Sequence, residues 1–131
     1  MRLADGRLVN LFVVHPFTPT NAYLRGRWAP DLEQIRRTTA AAVGPTLVVG
    51  DFNATYFHPP FRDFLSDGFT DVHKWLGEGL SRSWRMDGFF PPLVRLDHAL
   101  VRAGAHPLDV TDFVVPGSDH KGFVAGIWLD P

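Results

Sequence analysis

Residues Thr46 to Thr55 read TLVVGDFNAT. Thr46 to Val49 is a short apolar run that suits a buried strand, and it runs through Gly50 straight into Asp51, Asn53 and Thr55. Residues two apart in an extended chain face the same way. Asp51 and Asn53 therefore point together, while Phe52 points back toward a core. A carboxylate beside a carboxamide at the C-terminal end of a strand suits two jobs. The carboxylate holds or deprotonates a water, and the amide hydrogen-bonds a phosphate oxygen or another ligand group. A plain turn is the competing reading, because Gly, Asp and Asn all favour turns.

Outward from that stretch, strand and helix signals alternate. Arg7 to Val14 (RLVNLFVV) reads as a strand, with Asp5-Gly6 as a hairpin turn and Met1 to Ala4 as its partner. Pro16 and Pro19 end it, and Asn21 to Pro30 reads as a loop. Pro30 and Asp31 open a helix that Gly44-Pro45 stops. Downstream, Pro59-Pro60 start a short helix over Phe61 to Leu65. Strands are expected over Leu93 to Arg102, Asp109 to Val115 and Gly122 to Leu129. Strand, helix and strand in that order suggest an α/β (α+β) layer.

The chain has 131 residues, enough for one domain with an apolar core. Eleven Phe and four Trp need such a core or a binding surface. With 13 Lys and Arg against 14 Asp and Glu the net charge is −1, which excludes a module that grips nucleic acid by bulk attraction. Cysteine is absent, so disulfides, thiolate metal sites and Cys nucleophiles are excluded. No apolar run is long enough to span a membrane, and no secretory leader opens the chain. The expected location is the cytoplasm, or the soluble part of a protein whose export or anchoring segment lies outside this chain.

Three further polar clusters fall at strand ends. His15 follows Val13-Val14, where a surface histidine is the plainer reading. In Arg95-Leu96-Asp97-His98, alternation puts Asp97 on one face and His98 among leucines on the other, so His98 reads as a packed core or edge residue ahead of a site role. Asp97 in a strand requires a partner. The fourth cluster, Ser118-Asp119-His120, offers one: an Asp fixes the tautomer of a His and raises its basicity, and Asp97 with His120 is the natural pair. Of the other candidates, His58 either faces the site or is merely exposed, and Tyr56 and Phe57 cap the core or stack on substrate. His73 and His106 read as surface residues. Arg82, Trp84 and Arg85 (in SRSWRMDG) read either as a substrate contact or as a packed strand. Arg25, Arg27, Arg36 and Arg37 read as a solvated face.

In this chain order, His15, Gly50 to Thr55, Asp97 and Ser118 to His120 resemble the endonuclease/exonuclease/phosphatase superfamily of deoxyribonuclease I-like, metal-dependent phosphoesterases. GDFNAT looks like its Gly-Asp-Phe-Asn motif, Arg95 to His98 like its late Asp motif, and Ser118 to His120 like its terminal Ser-Asp-His motif. Asp51 to Leu65 and Pro116 to Ala125 look closest to the branch near teicoplanin-resistance proteins.

The resemblance implies a phosphoester hydrolase, nuclease or phosphatase, with Mg²⁺ or Mn²⁺ as cofactor. Its catalytic residues would be His15, Asp51, Asn53, Asp97 and His120. Asp51 and Asp119 would meet the metal, and His15, Asn53, Trp84 and Arg85 the substrate, a nucleic acid, nucleotide or lipid phosphate. Hard oxygen ligands and the lack of Cys agree with such ions. The resemblance covers residues 1–131 as the C-terminal half of the family's four-layer α/β/β/α sandwich, and so implies one mostly antiparallel mixed sheet with helices on one face. The family's upstream Asn and Glu metal motifs have no counterpart before His15. That gap supports a second expectation, a vestigial half-domain acting as a binding or assembly module. A His/Asp zinc hydrolase fits poorly, for want of a short-spaced His pair. A lone sheet would expose an apolar face, so a homodimer is expected, its partner supplying the second sheet.

Overall fold

β2 (Thr46–Asp51) is the strand around which the other elements are arranged. In the computed structural model, which describes residues 1–86 and 92–131, it is flanked by β1 (Asn10–Val14) and β4 (Asp97–Arg102). β1 runs parallel to it and β4 antiparallel, and the two-residue β3 (Thr70–Asp71) pairs beyond β4, for the order β1-β2-β4-β3. The register sets Val14 opposite Gly50, and Asp51 opposite Asp97. Gly50 has φ 144° there, and a Cβ would lie 2.0 Å from the Val14 carbonyl oxygen. That obstacle is backbone, so no side-chain motion relieves it. Gly50→Ala is expected to cost on the order of 3 kcal/mol in denaturant unfolding, by overpacking and backbone strain.

The period-two alternation of β2 builds a core on each side. Val48 joins Phe52, Leu100, Phe61, Phe64 and Leu32 under α1 (Ala22–Ala40) and α2 (Pro59–Ser66). Complete burial of each large side chain there contributes about 1.5–3 kcal/mol. On the other side Leu47, Val49, Ala99 and Val101 face β5 (Ala105–Val114) and β6 (Lys121–Leu129), an antiparallel ribbon that brings Phe123, Ala125 and Ile127 against them. The four-residue α3 (Val72–Trp75) adds Val72 to this layer. The chain is thus α+β, half of a sandwich, and two strands of the second sheet are its own rather than all coming from a partner. Between the layers an apolar cleft of about 370 Å³ stays open.

α1 corrects the reading of Asn21 to Pro30 as a loop. Asn21 caps the helix, its side-chain oxygen accepting from Leu24 N at 2.9 Å, and Pro30 lies inside it. Trp28 and Leu32, one turn apart, face the core, and Trp28 Nε1 donates to the Phe52 carbonyl at 3.2 Å. Pro30 lacks the N–H that would reach Gly26 four residues back, but both residues are on the exposed side, where water replaces that bond. Packing of Trp28 outweighs the proline penalty. Strand pairing near the N-terminus shrinks to a single bridge, Arg2 with Leu8, around the Gly6 turn. The strand expected from Leu93 begins in earnest only at Asp97. No helix among the described residues is long and apolar enough to cross a membrane.

Candidate active site

Because β1 and β2 are parallel and β4 is antiparallel to β2, the C-terminal ends of the first two and the start of the third meet at one end of the sheet. His15, Asp51 and Asp97 all stand there. Asp51 Oδ1 accepts from Asn53 N at 2.7 Å. Asp51 Oδ2 is left facing two imidazoles, His15 Nε2 at 3.6 Å and His120 Nε2 at 4.0 Å. These gaps exceed a hydrogen bond but are too short to seat an oxygen atom in line between the groups. Asn53 takes φ 48°, a region its side chain tolerates, and its Nδ2 donates to the Pro16 carbonyl at 3.1 Å, tying the end of β1 to the turn. Asn53 therefore orients Asp51 through its backbone N–H.

His120 arrives from the segment before β6. Its Nδ1 lies 2.8 Å from Asp97 Oδ2, and its backbone N donates to Ser118 Oγ at 3.0 Å. A carboxylate on Nδ1 places that proton there and leaves Nε2 to face Asp51. Asp97 is held in turn by Ser83 and Arg95, both buried. Ser83 Oγ accepts from Leu96 N and Asp97 N, and Arg95 Nη1 donates to the Asp97 carbonyl at 3.2 Å. Trp84 Nε1 donates to Asp119 Oδ2 at 3.1 Å.

His15, Asp51, Asn53, Trp84, Asp119 and His120 line one cavity of about 520 Å³, and Asp97 joins it through His120. Arg85 is exposed and outside that lining, and Asp87 and Gly88 of the quoted stretch lie outside the described residues. Donor atoms of Asp51, Asp97 and His120 all fall within 4.8 Å of one another, a grouping in which the two carboxylates offer the oxygen ligands that a hard divalent cation takes, while His120 stands beside them as a donor. Asp119 belongs to the same wall but not to that trio. Burial pushes the Asp51 carboxyl up, with Asp97 adding to it, against the Asn53 N–H and the two imidazoles. Burial opposes charge on His120, but the hydrogen bond and charge of Asp97 prevail, with Asp51 and Asp119 adding, and raise it above its usual value.

Other residues fall where their contacts put them. His98 is fully buried, as its leucine face implies. His73 is not a surface residue: it is 1% exposed, with Nε2 3.1 Å from Asp112 Oδ1 and Phe123 against its ring. The acid that holds it lies 39 residues away, on β5, which no local pattern shows. His106 is exposed beside Asp130. Tyr56 packs on the core, but Phe57 is 87% exposed rather than capping it. Arg36 bonds Glu33 and Asp67, and Arg27 lies over Phe17. Sequence reasoning left out Ser83 as the anchor of Asp97, and its burial in an irregular segment carries no sequence signal.

The sequence profile of the Endonuclease/Exonuclease/phosphatase family matches residues 2–120. No curated protein matches the chain. Among solved structures, it is similar to a mannosyl-6-phosphatase of Bacteroides thetaiotaomicron, at 19% identity and TM-score 0.56, over 89% of this chain and 50% of that one. It is also similar to TDP2 of D. rerio with a single-strand DNA product, at 17% identity and TM-score 0.70, over 89% and 55%. A 3′ phosphatase from Neisseria with a product DNA hairpin gives 20% identity and TM-score 0.66, over 92% and 60%. The chain thus spans about half the length of its solved relatives. By the extent of the profile match, the chain belongs to the endonuclease/exonuclease/phosphatase family.

Proposed function

We propose that this chain carries the water-activating half of a divalent-metal-dependent phosphoester hydrolase, with Mg²⁺ or Mn²⁺ as the ion. The observation that carries the reading is the convergence of Asp51, Asp97 and His120 within 4.8 Å, with His120 already oriented by Asp97. A bound ion supplies neutralisation of the charge that builds on the transferring phosphoryl group. Asp51 Oδ2 positions a water against phosphorus and takes up its proton, and the raised carboxyl suits that task. The bond to the leaving oxygen breaks as the new P–O bond forms. His120 Nε2 donates a proton or hydrogen bond to the phosphoryl or leaving oxygen. His15 and Asn53 hold nonbridging oxygens, Trp84 stacks against substrate, and Asp119, on the cavity wall, would help to hold the ion or its water. Arg85, exposed nearby, meets substrate beyond the cavity. The substrate is a nucleic acid, nucleotide or lipid phosphate ester.

The test is hydrolysis of a generic phosphodiester and a phosphomonoester with and without Mg²⁺ or Mn²⁺, with calorimetric titration of each ion. Saturable ion binding without turnover would favour a second reading, a half-domain that binds without hydrolysing. The missing Asn and Glu motifs before His15 support that alternative.

A homodimer belongs to the same proposal. The interlayer cleft is apolar and open, and Leu11 and Val13 on the edge strand β1 are 44% and 78% exposed. A second copy covering these surfaces would complete the sandwich. Light scattering at micromolar concentration is expected to give twice the 14.7 kDa chain mass, and a clean monomer would refute the dimer.

A further inference from the structure

We propose that His58 contacts the substrate, its Nε2–H donating to an oxygen of the bound phosphoester; this rests on the reading of the site as a phosphoesterase. The ring is oriented by its own loop. Thr55 N donates to His58 Nδ1 at 2.9 Å, and Thr55 Oγ1 lies 3.2 Å from the same atom. Thr55 Oγ1 is itself held by Phe57 N at 3.2 Å. A backbone N–H meets only a lone pair, so the ring proton is on Nε2. Trp28 packs edge-on against the imidazole with centroids 5.2 Å apart, which fixes its plane. His58 is also the N-cap residue of α2, yet its side chain makes no capping bond. It is turned away from the helix and lines the cavity of Asp51, Asn53 and His120. Among the described residues Nε2 has no protein partner. An imidazole on this cavity wall, its acceptor occupied by backbone and its N–H without a protein partner among the described residues, suits an oxyanion.

The loop geometry supplies a discriminating pair of substitutions. His58→Asn puts an amide oxygen near the position of Nδ1, keeping an acceptor for Thr55 N–H, and removes the distal donor. His58→Gln carries an N–H out to the position of Nε2. The probe is inorganic phosphate, followed by two-bond ¹⁵N–¹H correlation of the His58 ring and by calorimetry. The parent ring is expected as the Nε2–H tautomer, with Nε2 shifting saturably on phosphate addition. H58N is expected to weaken phosphate affinity about tenfold or more, as for a lost hydrogen bond to a charged group, and H58Q to restore most of it. In any hydrolysis assay H58N should raise KM more than it lowers kcat, with Tm unchanged. A ring indifferent to saturating phosphate, no saturable phosphate binding by the parent, or H58N binding as tightly as the parent would each overturn the contact. A chain that hydrolyses nothing while His58 still senses phosphate would refute the hydrolase reading and leave this contact standing.

Discussion

His120→Ala is expected to lower phosphodiester hydrolysis about 10²–10⁴-fold, the range for loss of a positioned general acid or base. The magnitude follows from how completely this imidazole is prepared. Asp97 holds Nδ1 at 2.8 Å, Ser83 and Arg95 hold Asp97, and Nε2 is thereby aimed at Asp51. Asp97→Asn leaves the shape intact but replaces a pure acceptor with a group that also donates, so the ring loses both charge support and its tautomer preference. It should therefore cost almost as much as removing the ring. The pH dependence separates the two groups. The Asp51 carboxyl is raised by burial, with Asp97 adding to it, in the ion-free site. The imidazolium of His120 is raised by Asp97 and persists above 6.5. Activity that uses it as an acid is present below that raised value and falls as pH climbs through it. Asp97→Asn should move this alkaline limb downward. The measurement is a kcat/KM profile at saturating metal, and an Ala variant matching the parent rate would remove His120 from the mechanism.

The ends of the strands were legible in the sequence because polar residues there interrupt apolar alternation. TLVVGDFNAT reads directly as a strand delivering Asp51, and the observed β2 runs Thr46–Asp51. The Asp97–His120 pair was legible because an acid in a strand demands a partner, and the structure puts the two 2.8 Å apart. What stayed hidden depends on contacts between distant segments. Pro30 looks like a helix start, and only the Trp28 anchor against Phe52 carries α1 through it from Ala22. His73 looks exposed until β5 brings Asp112 to it. β3 is two residues long, too short for any period, yet it places Asp71 beside His98. That last pair is fully buried.

Asp71→Ala is expected to destabilise the protein by about 3–5 kcal/mol, the cost of stranding one member of a buried ion pair. Both side chains are 0% exposed. His98 Nδ1 lies 2.8 Å from Asp71 Oδ2, and His98 Nε2 lies 3.0 Å from the Ala54 carbonyl. A carbonyl only accepts, so Nε2 must carry a proton. Burial raises the Asp71 carboxyl, but the hydrogen bond and charge of His98 outweigh it and hold it below its usual 3.8. The Asp71 carboxylate is thus held by His98, whose ring packs under Phe61 at 4.3 Å between centroids. Because the carboxyl is depressed in the folded state, its stabilisation is complete above the unfolded value and disappears as pH falls through the folded one. Urea unfolding at pH 7 and near pH 3 should therefore show the parent losing stability that the Ala variant has already lost. Replacing both partners, Asp71→Leu with His98→Phe, removes the stranded charge and should recover most of the deficit. About 1 kcal/mol remains missing, because Asp71 Oδ1 also caps α3 by accepting from Lys74 N. The effect reaches the site: Ala54 follows Asn53, so His98 fixes the far end of the turn that carries Asp51. A single-variant loss below about 1 kcal/mol would fall outside the buried-pair range and mean that this pair is neither charged nor the anchor of that turn.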